Sequence, residues 1–280
     1  PLFCTLAQTG QVLDVLHRCG NVHDSNGAQA FILRCIEQVR RILPGVTIEV
    51  RMDSAFFSDA IVGDLDQLGV EYTISVPFER LVELKGRIEA RRRWYRIDDQ
   101  CDYFECAWKP KSWRRRHRFV FVRRRNRVQY KQPVQLDLFV PYEYGYDFKV
   151  VLTNKRLRAA KVVALHNGRG SQEDIFAELK SQNQMGYVPT RTWYGNQVYL
   201  LSAILAHNLS REIQMIAQKP SRTTRQKRPA LWNFEQLGTL RRRLIQRAGR
   251  LIRPQGKLTL SMSANAVVQN ELLHYLNAIE

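Results

Sequence analysis

The chain has no C-x-x-C pair and no Cys/His spacing that would make a zinc site. Its five cysteines, at 4, 19, 35, 101 and 106, are an odd, scattered set. That suits a reducing cytosol better than a disulfide framework. No secretory signal is visible. The longest apolar run, VYLLSAILA at 198–206, is less than half of the ~20 residues a membrane-spanning helix needs. No internal repeat occurs. Acidic residues are scarce, 26 Asp and Glu against 44 Lys and Arg. An initiating methionine is missing too: the sequence starts PLFC and enters an apolar run at once. It reads as a fragment with its N-terminus cut away.

What is present is a globular composition, 44% hydrophobic and 10% aromatic over 280 residues, enough for one large domain or two modest ones. The net charge of +18 and pI near 10.1 point to nucleic acid or an anionic surface. The charge is concentrated. Residues 85–131 carry 17 basic and five acidic side chains, and residues 219–257 carry 12 and one, which leaves the remainder at −5. Trp94, Trp108 and Trp113 lie among the arginines of the first segment. Basic residues interleaved with aromatics suit backbone neutralisation with base stacking; packing within the segment is the plainer reading of the tryptophans.

Along the chain, PLFCTLAQTGQVLDVLHR reads as two strands turning at Thr9-Gly10. A helix follows, with Ala30, Leu33, Ile36 (with Ile32), Val39 and Leu43 at helical spacing, ended by Pro44-Gly45. VTIEVRMD is a short strand that delivers Asp53 at its end. A Ser-capped helix closing at Gly69 and the strand VEYTISV complete a ββαβαβ order, an α/β layout. From Pro77 to about Asp147 the pattern becomes rich in strands, such as RFVFVRRRNRVQYK and VQLDLFV. YDFKVVLTN then returns the chain to the core. NQVYLLSAILAHNLSREIQMIAQ reads as a long, largely buried helix. A polar linker at 218–230 leads to a basic helix, a hairpin and a closing helix. These divisions give four parts: 1–76, 77–147, 148–217 and 218–280.

HNGRGSQEDIFAELK, residues 166–180, has Ser171 and Asp174 in capping-box form, followed by an Ile175/Phe176/Leu179 stripe. Glu173 and Lys180, seven residues apart, fall on nearly the same helical face. By pattern alone, Asp53 is a turn residue and Glu173 a helix-dipole partner as readily as either is a metal ligand. Carboxylates brought together from separate elements hold two hard cations such as Mg²⁺ or Mn²⁺ for phosphodiester displacement.

The residues resemble the DDE transposases of bacterial insertion sequences, in the subgroup with an RNase H-like core, a β-strand insertion and a Tyr-x2-Arg-x3-Glu-x6-Lys signature. The spacing is kept at Arg169, Glu173 and Lys180, with His166 where the tyrosine is expected. RMDSAFFSDAIVGDLDQLGVEYTISV resembles the segment of the second catalytic aspartate, which maps onto Asp53. NQVYLLSAILAHNL and AGRLIRPQGKLTLSMS are similar to the C-terminal part of the group. The insertion-sequence family numbered thirteen-eighty is the nearest likeness, and it covers essentially the whole chain.

The resemblance implies an α/β fold with an RNase H-like core lacking its first strand, a β-rich insertion and a C-terminal helical extension. It also implies Asp53 and Glu173 as catalytic metal ligands for Mg²⁺ or Mn²⁺, with Arg169 and Lys180 on DNA phosphates. His166 is either a further DNA contact or a loop histidine. The first aspartate would lie upstream of Pro1; Asp14 stands where the family pattern has no catalytic residue. The implied partners are the transposon's terminal inverted repeats and target DNA, bound by a homodimer in the bacterial cytoplasm at the nucleoid, with no membrane. One or more tryptophans, Trp108 or Trp113, would pack against an extruded base. The other readings are a non-catalytic DNA-binding remnant or domesticated element and, less favoured, an RNA-binding protein.

Overall fold

The computed structural model describes all residues except 19, 21–25, 127–144, 169–170, 223–229, 263–264 and 280, and the side chain of Ser171. The chain forms two compact units, Pro1–Gly20 with Gly170–Glu280, and Asn21–Arg169.

The Asn21–Arg169 unit is built on one mixed sheet. Its elements are α1 (Ala28–Ile42), β3 (Glu49–Met52), α2 (Asp59–Gln67), β4 (Glu71–Ser75), α3 (Val82–Glu89), β5 (Tyr95–Arg96), β6 (Cys101–Trp108), β7 (His117–Arg125), β8 (Tyr146–Thr153) and α4 (Ala159–Asn167). The strand order is β3-β4-β8-β7-β6-β5. Only β3 and β4 are parallel, as a crossover through α2 requires. The expected return of the chain to the core is β8, antiparallel to β4. The strand-rich segment does not make a sheet of its own, because β5, β6 and β7 continue the same sheet beyond β8. α3 was not expected there. The expected strand VQLDLFV lies outside the described residues.

Local chemistry sets the boundaries. Ser58 caps α2 by accepting the Ile61 N–H, and Gly69 ends it at φ +64°, where a side chain would be strained. The buried stripe of α1 is Ala28, Phe31, Ile32, Cys35 and Ile36; Ile32 and Ile36 belong to the expected set, whereas Ala30, Leu33, Val39 and Leu43 are not buried. Both sets have helical spacing; the observed one carries the phenylalanine, whose burial contributes most. Phe119, Val120, Phe121 and Val122 are all buried on β7, so this central strand is covered on both faces.

A charged cluster staples the strand starts. Glu49 and Glu71 face each other in the β3–β4 register, and the buried Lys155 just after β8 donates to both carboxylates. Two like charges in adjacent register repel, and the ammonium offsets that repulsion.

In the other unit, β1 (Leu2–Thr5) and β2 (Val12–Leu16) form the expected hairpin, with Gly10 at φ +64° in its turn. Val12 and Val15 pack with Leu179 of α5 (Ser171–Gln182) and Ile204 of α6 (Trp193–Ala217). α6 is not largely buried as expected. Leu200, Ala203, Ile204 and His207 face the core, while Val198, Leu201, Leu205 and Leu209 are exposed. The apolar sequence alone does not say how many faces are covered. α7 (Leu237–Leu240) runs into a π-helical turn at Arg241–Ile245, followed by the hairpin β9 (Gly249–Ile252) and β10 (Thr259–Met262) and the closing α8 (Ala266–Ile279).

This unit has a polar core. Glu178 pairs with Arg211, both buried, and also accepts the Leu237 N–H. The Gln214 side chain accepts from the Glu235 N–H and donates to the Glu235 carbonyl. These bonds pin the segment before α7 onto α5 and α6. His207 Nε2 donates to the Gly10 carbonyl at 2.9 Å, and burial holds the imidazole below its ordinary range.

Two outcomes follow. Lys155→Ala removes the cation that Glu49 and Glu71 share and, with Glu71 partly in water, is expected to cost about 1 kcal/mol in a denaturant melt. Because His207 titrates lower in the folded chain than in the unfolded one, the folded state holds fewer protons near neutrality. Its contribution is full above the ordinary value of 6.5 and is lost as pH falls from there toward the folded value. His207→Gln is therefore expected to flatten the decline of Tm between pH 7 and pH 5.

Candidate active site

Asp53 is the first residue beyond β3, at the edge of the six-stranded sheet. Its Oδ1 accepts the Ala55 N–H at 3.0 Å and so caps the 3-10 turn Ser54–Phe56. The turn-residue reading is thus correct as local structure. It uses one oxygen only; Oδ2 takes no hydrogen bond from the described residues and remains open to a ligand. The side chain is half-buried.

Met52 pairs with Ile74, so Asp53 lies level with Ser75 at the neighbouring strand end. His166 reaches the same place from α4. Its Nε2 is 2.8 Å from Ser75 Oγ and its Nδ1 3.1 Å from Thr73 Oγ1, and only 1% of the residue is exposed. His166 is therefore not a loop histidine. It sits in the last turn of α4 with both ring nitrogens engaged, fastening that helix to β4 beside Asp53. A contact from its ring to DNA would require giving up these bonds.

Glu173 and Lys180 belong to the other unit, on α5. Both are exposed, about 10 Å apart along the helix axis. Asp174 stands with Glu173 in the first turn, where carboxylates are favoured by the helix dipole. The helix begins at Ser171 itself. The expected stripe packs inward, with Leu179 buried and Ile175 and Phe176 half-buried on the Val12/Val15/Ile204 cluster. Arg169 lies outside the described residues.

The tryptophans pack, as their plainer reading holds. Trp108 is 6% exposed and its Nε1 donates to Glu83. Trp113, also 6% exposed, lies against Phe57 with ring centres 4.6 Å apart. Trp94 packs edge-on to Phe104 and carries the Arg123 guanidinium on its ring. Neither Trp108 nor Trp113 has a face open to an extruded base.

Among the described residues, no group of three or more His, Cys, Asp or Glu side chains is close enough to hold a metal ion. The donor chemistry at Asp53 still suits a hard cation, since a carboxylate oxygen is available at a strand end. One carboxylate does not make a two-metal site, however. The buried pairs Glu178–Arg211 and Lys155–Glu49/Glu71 escaped sequence reasoning. Their partners are far apart in the chain, and no local pattern marks them.

The family model for the transposase DDE domain, group 1, matches residues 1–280. The chain belongs to that family. No curated protein matches it. A DDE transposase acts in DNA transposition, and members of the family are typically metal-dependent nucleotidyl-transfer enzymes that use divalent ions. No helix among the described residues of this transposase is long and apolar enough to cross a membrane.

His166→Ala is expected to lower stability by about 1–3 kcal/mol, because it strands two hydroxyls, one of them the fully buried Thr73. A melt of the DNA-free protein checks this. A side chain serving DNA alone would leave the melt unchanged.

Proposed function

We propose that the chain is an insertion-sequence transposase of the Tyr-Arg-Glu-Lys subgroup, family thirteen-eighty, with an RNase H-like core. Residues 1–76 and 148–217 make that core, 77–147 the strand-rich insertion and 218–280 a basic C-terminal extension. The observation that carries the reading is Asp53. It stands at the C-terminal end of a strand that, among the described residues, pairs with β4 alone, with one carboxylate oxygen uncommitted, in a chain that matches the family along its full length.

In this reading Asp53 and Glu173 hold the ions as two of the family's three carboxylates. When bound, Mg²⁺ or Mn²⁺ supplies activation of the attacking oxygen and stabilisation of the leaving oxygen in phosphodiester displacement. The Arg169 fork grips two phosphate oxygens of the cleaved strand, and Lys180 adds a point charge two turns along α5 from Glu173. His166 holds α4 against the Asp53 strand end. The substrates are the terminal inverted repeats and then target DNA, bound by a dimer in the bacterial cytoplasm.

With the family's three carboxylates in place, the transposase is expected to cleave transposon-end DNA with Mg²⁺ or Mn²⁺. Glu173→Ala should lower cleavage about a thousandfold or more, since metal-site stabilisation is worth several kcal/mol at ~1.4 kcal/mol per tenfold. Binding measured by gel shift should not change. Undiminished cleavage by that variant contradicts the assignment. Binding without cleavage by the unsubstituted protein favours a DNA-binding remnant.

A further inference from the structure

The turn between β6 and β7, residues 109–116, contains five basic residues and no acidic one. Three arginines elsewhere on this sheet have carboxylate partners: Arg118 pairs with Glu105, Arg123 with Asp102 and Arg96 with Asp99. In the turn, Lys111, Arg114, Arg115 and Arg116 are exposed, and none of their side chains has a carboxylate partner among the described residues.

The turn is nevertheless held in a fixed form. Trp113 is buried as a wedge between Phe57 and His117, at 4.6 and 5.6 Å between ring centres. Lys109 Nζ donates to the Trp113 carbonyl at 2.7 Å, and the Trp113 N–H donates to the Pro110 carbonyl at 3.0 Å. The Arg114 N–H donates to Asp59 Oδ1 at 3.4 Å. Four like charges presented on a rigid turn repel one another, a cost that an anionic ligand offsets.

Trp113 also fixes where those charges stand. Phe57 is four residues after Asp53, at the end of the turn that Asp53 caps, about 8 Å away at the ~2 Å rise of a 3-10 turn. A DNA strand presents one phosphate every ~3.4 Å, so the cations and Asp53 can address neighbouring stretches of one duplex.

We propose that Lys111, Arg114, Arg115 and Arg116 form a clamp for the phosphate backbone of duplex DNA, docked by Trp113 beside the Asp53 turn. The choice of DNA as ligand rests on the transposase reading. Phosphate contacts of this kind fix position and carry no base specificity.

The test is equilibrium binding of the chain to a duplex across a salt series, in metal-free buffer so that cleavage plays no part. Replacing Arg114, Arg115 and Arg116 together with Ala should reduce the slope of log K against log salt by about 2.7, at ~0.9 per phosphate contact, with Tm unchanged. Lys111→Gln alone should reduce it by about 0.9, and lysine at the three arginine positions should preserve it. Arg96→Ala, which removes a paired arginine, should not alter it. Equal effects on end-sequence and unrelated duplexes are expected, and an effect on end-sequence DNA alone overturns the backbone assignment. An unchanged slope in both the arginine and Lys111 variants overturns the clamp, and a loss confined to RNA overturns DNA as the ligand. None of these readouts involves Asp53 or Glu173 chemistry, so failure of the cleavage assignment would be seen separately.

Discussion

The position of Asp53 depends on the register of β3 against β4, and the Lys155 ammonium bears directly on that register. Glu49 and Glu71 open the two strands directly opposite each other, an arrangement that repels without a cation. Lys155 follows β8, the strand paired with β4 on the other side, so its two ion pairs tie three strands together at one end. A slip of one residue would separate the carboxylates from that shared cation and turn the side chains of β3 to opposite faces. With the register held, Met52 is buried opposite Ile74 and Asp53 emerges at the other end of the strand, level with Ser75 and the His166 that bonds to it.

A second charged contact orders the other unit. The buried Glu178–Arg211 pair fixes α5 to α6, and the second Glu178 oxygen receives the Leu237 N–H. Since Glu178 points inward, Glu173 and Lys180, on other faces of the same helix, stay exposed. The same bonds anchor the segment leading to the basic 241–257 stretch. Buried ion pairs are weak contributors to net stability, but losing one partner is costly. The two pairs thus fix geometry in each unit where an apolar contact would permit sliding.

Much of the scaffold is legible in the residues. The Thr9-Gly10 turn, the Ser58 cap, Gly69 at a helix end and the strand running into Asp53 are local signals, and each is realised where the chemistry demands it. The Arg/Glu/Lys spacing led to the family that the whole chain matches. Other features depend on long-range packing and leave no local mark. The α1 stripe could be drawn in two phases, and only the packed phenylalanine decides between them. The apolar α6 gives no sign of which face stays uncovered. His166 stands beside a Gly-rich stretch with no local sign of burial, yet Ser75 and Thr73, some ninety residues earlier in sequence, hold it in the core. The tryptophans among arginines admit base stacking but more plainly packing, and aromatic partners show them packed.

The central claim is that the uncommitted oxygen of Asp53 is a metal ligand. Asp53→Cys in the cleavage-competent transposase tests it most directly, because a thiolate replaces a hard oxygen donor with a soft one. The account predicts that cleavage of transposon-end DNA is lost with Mg²⁺ and partly restored with Mn²⁺ or Cd²⁺, while DNA binding stays unchanged. Full cleavage with Mg²⁺ in that variant would contradict it.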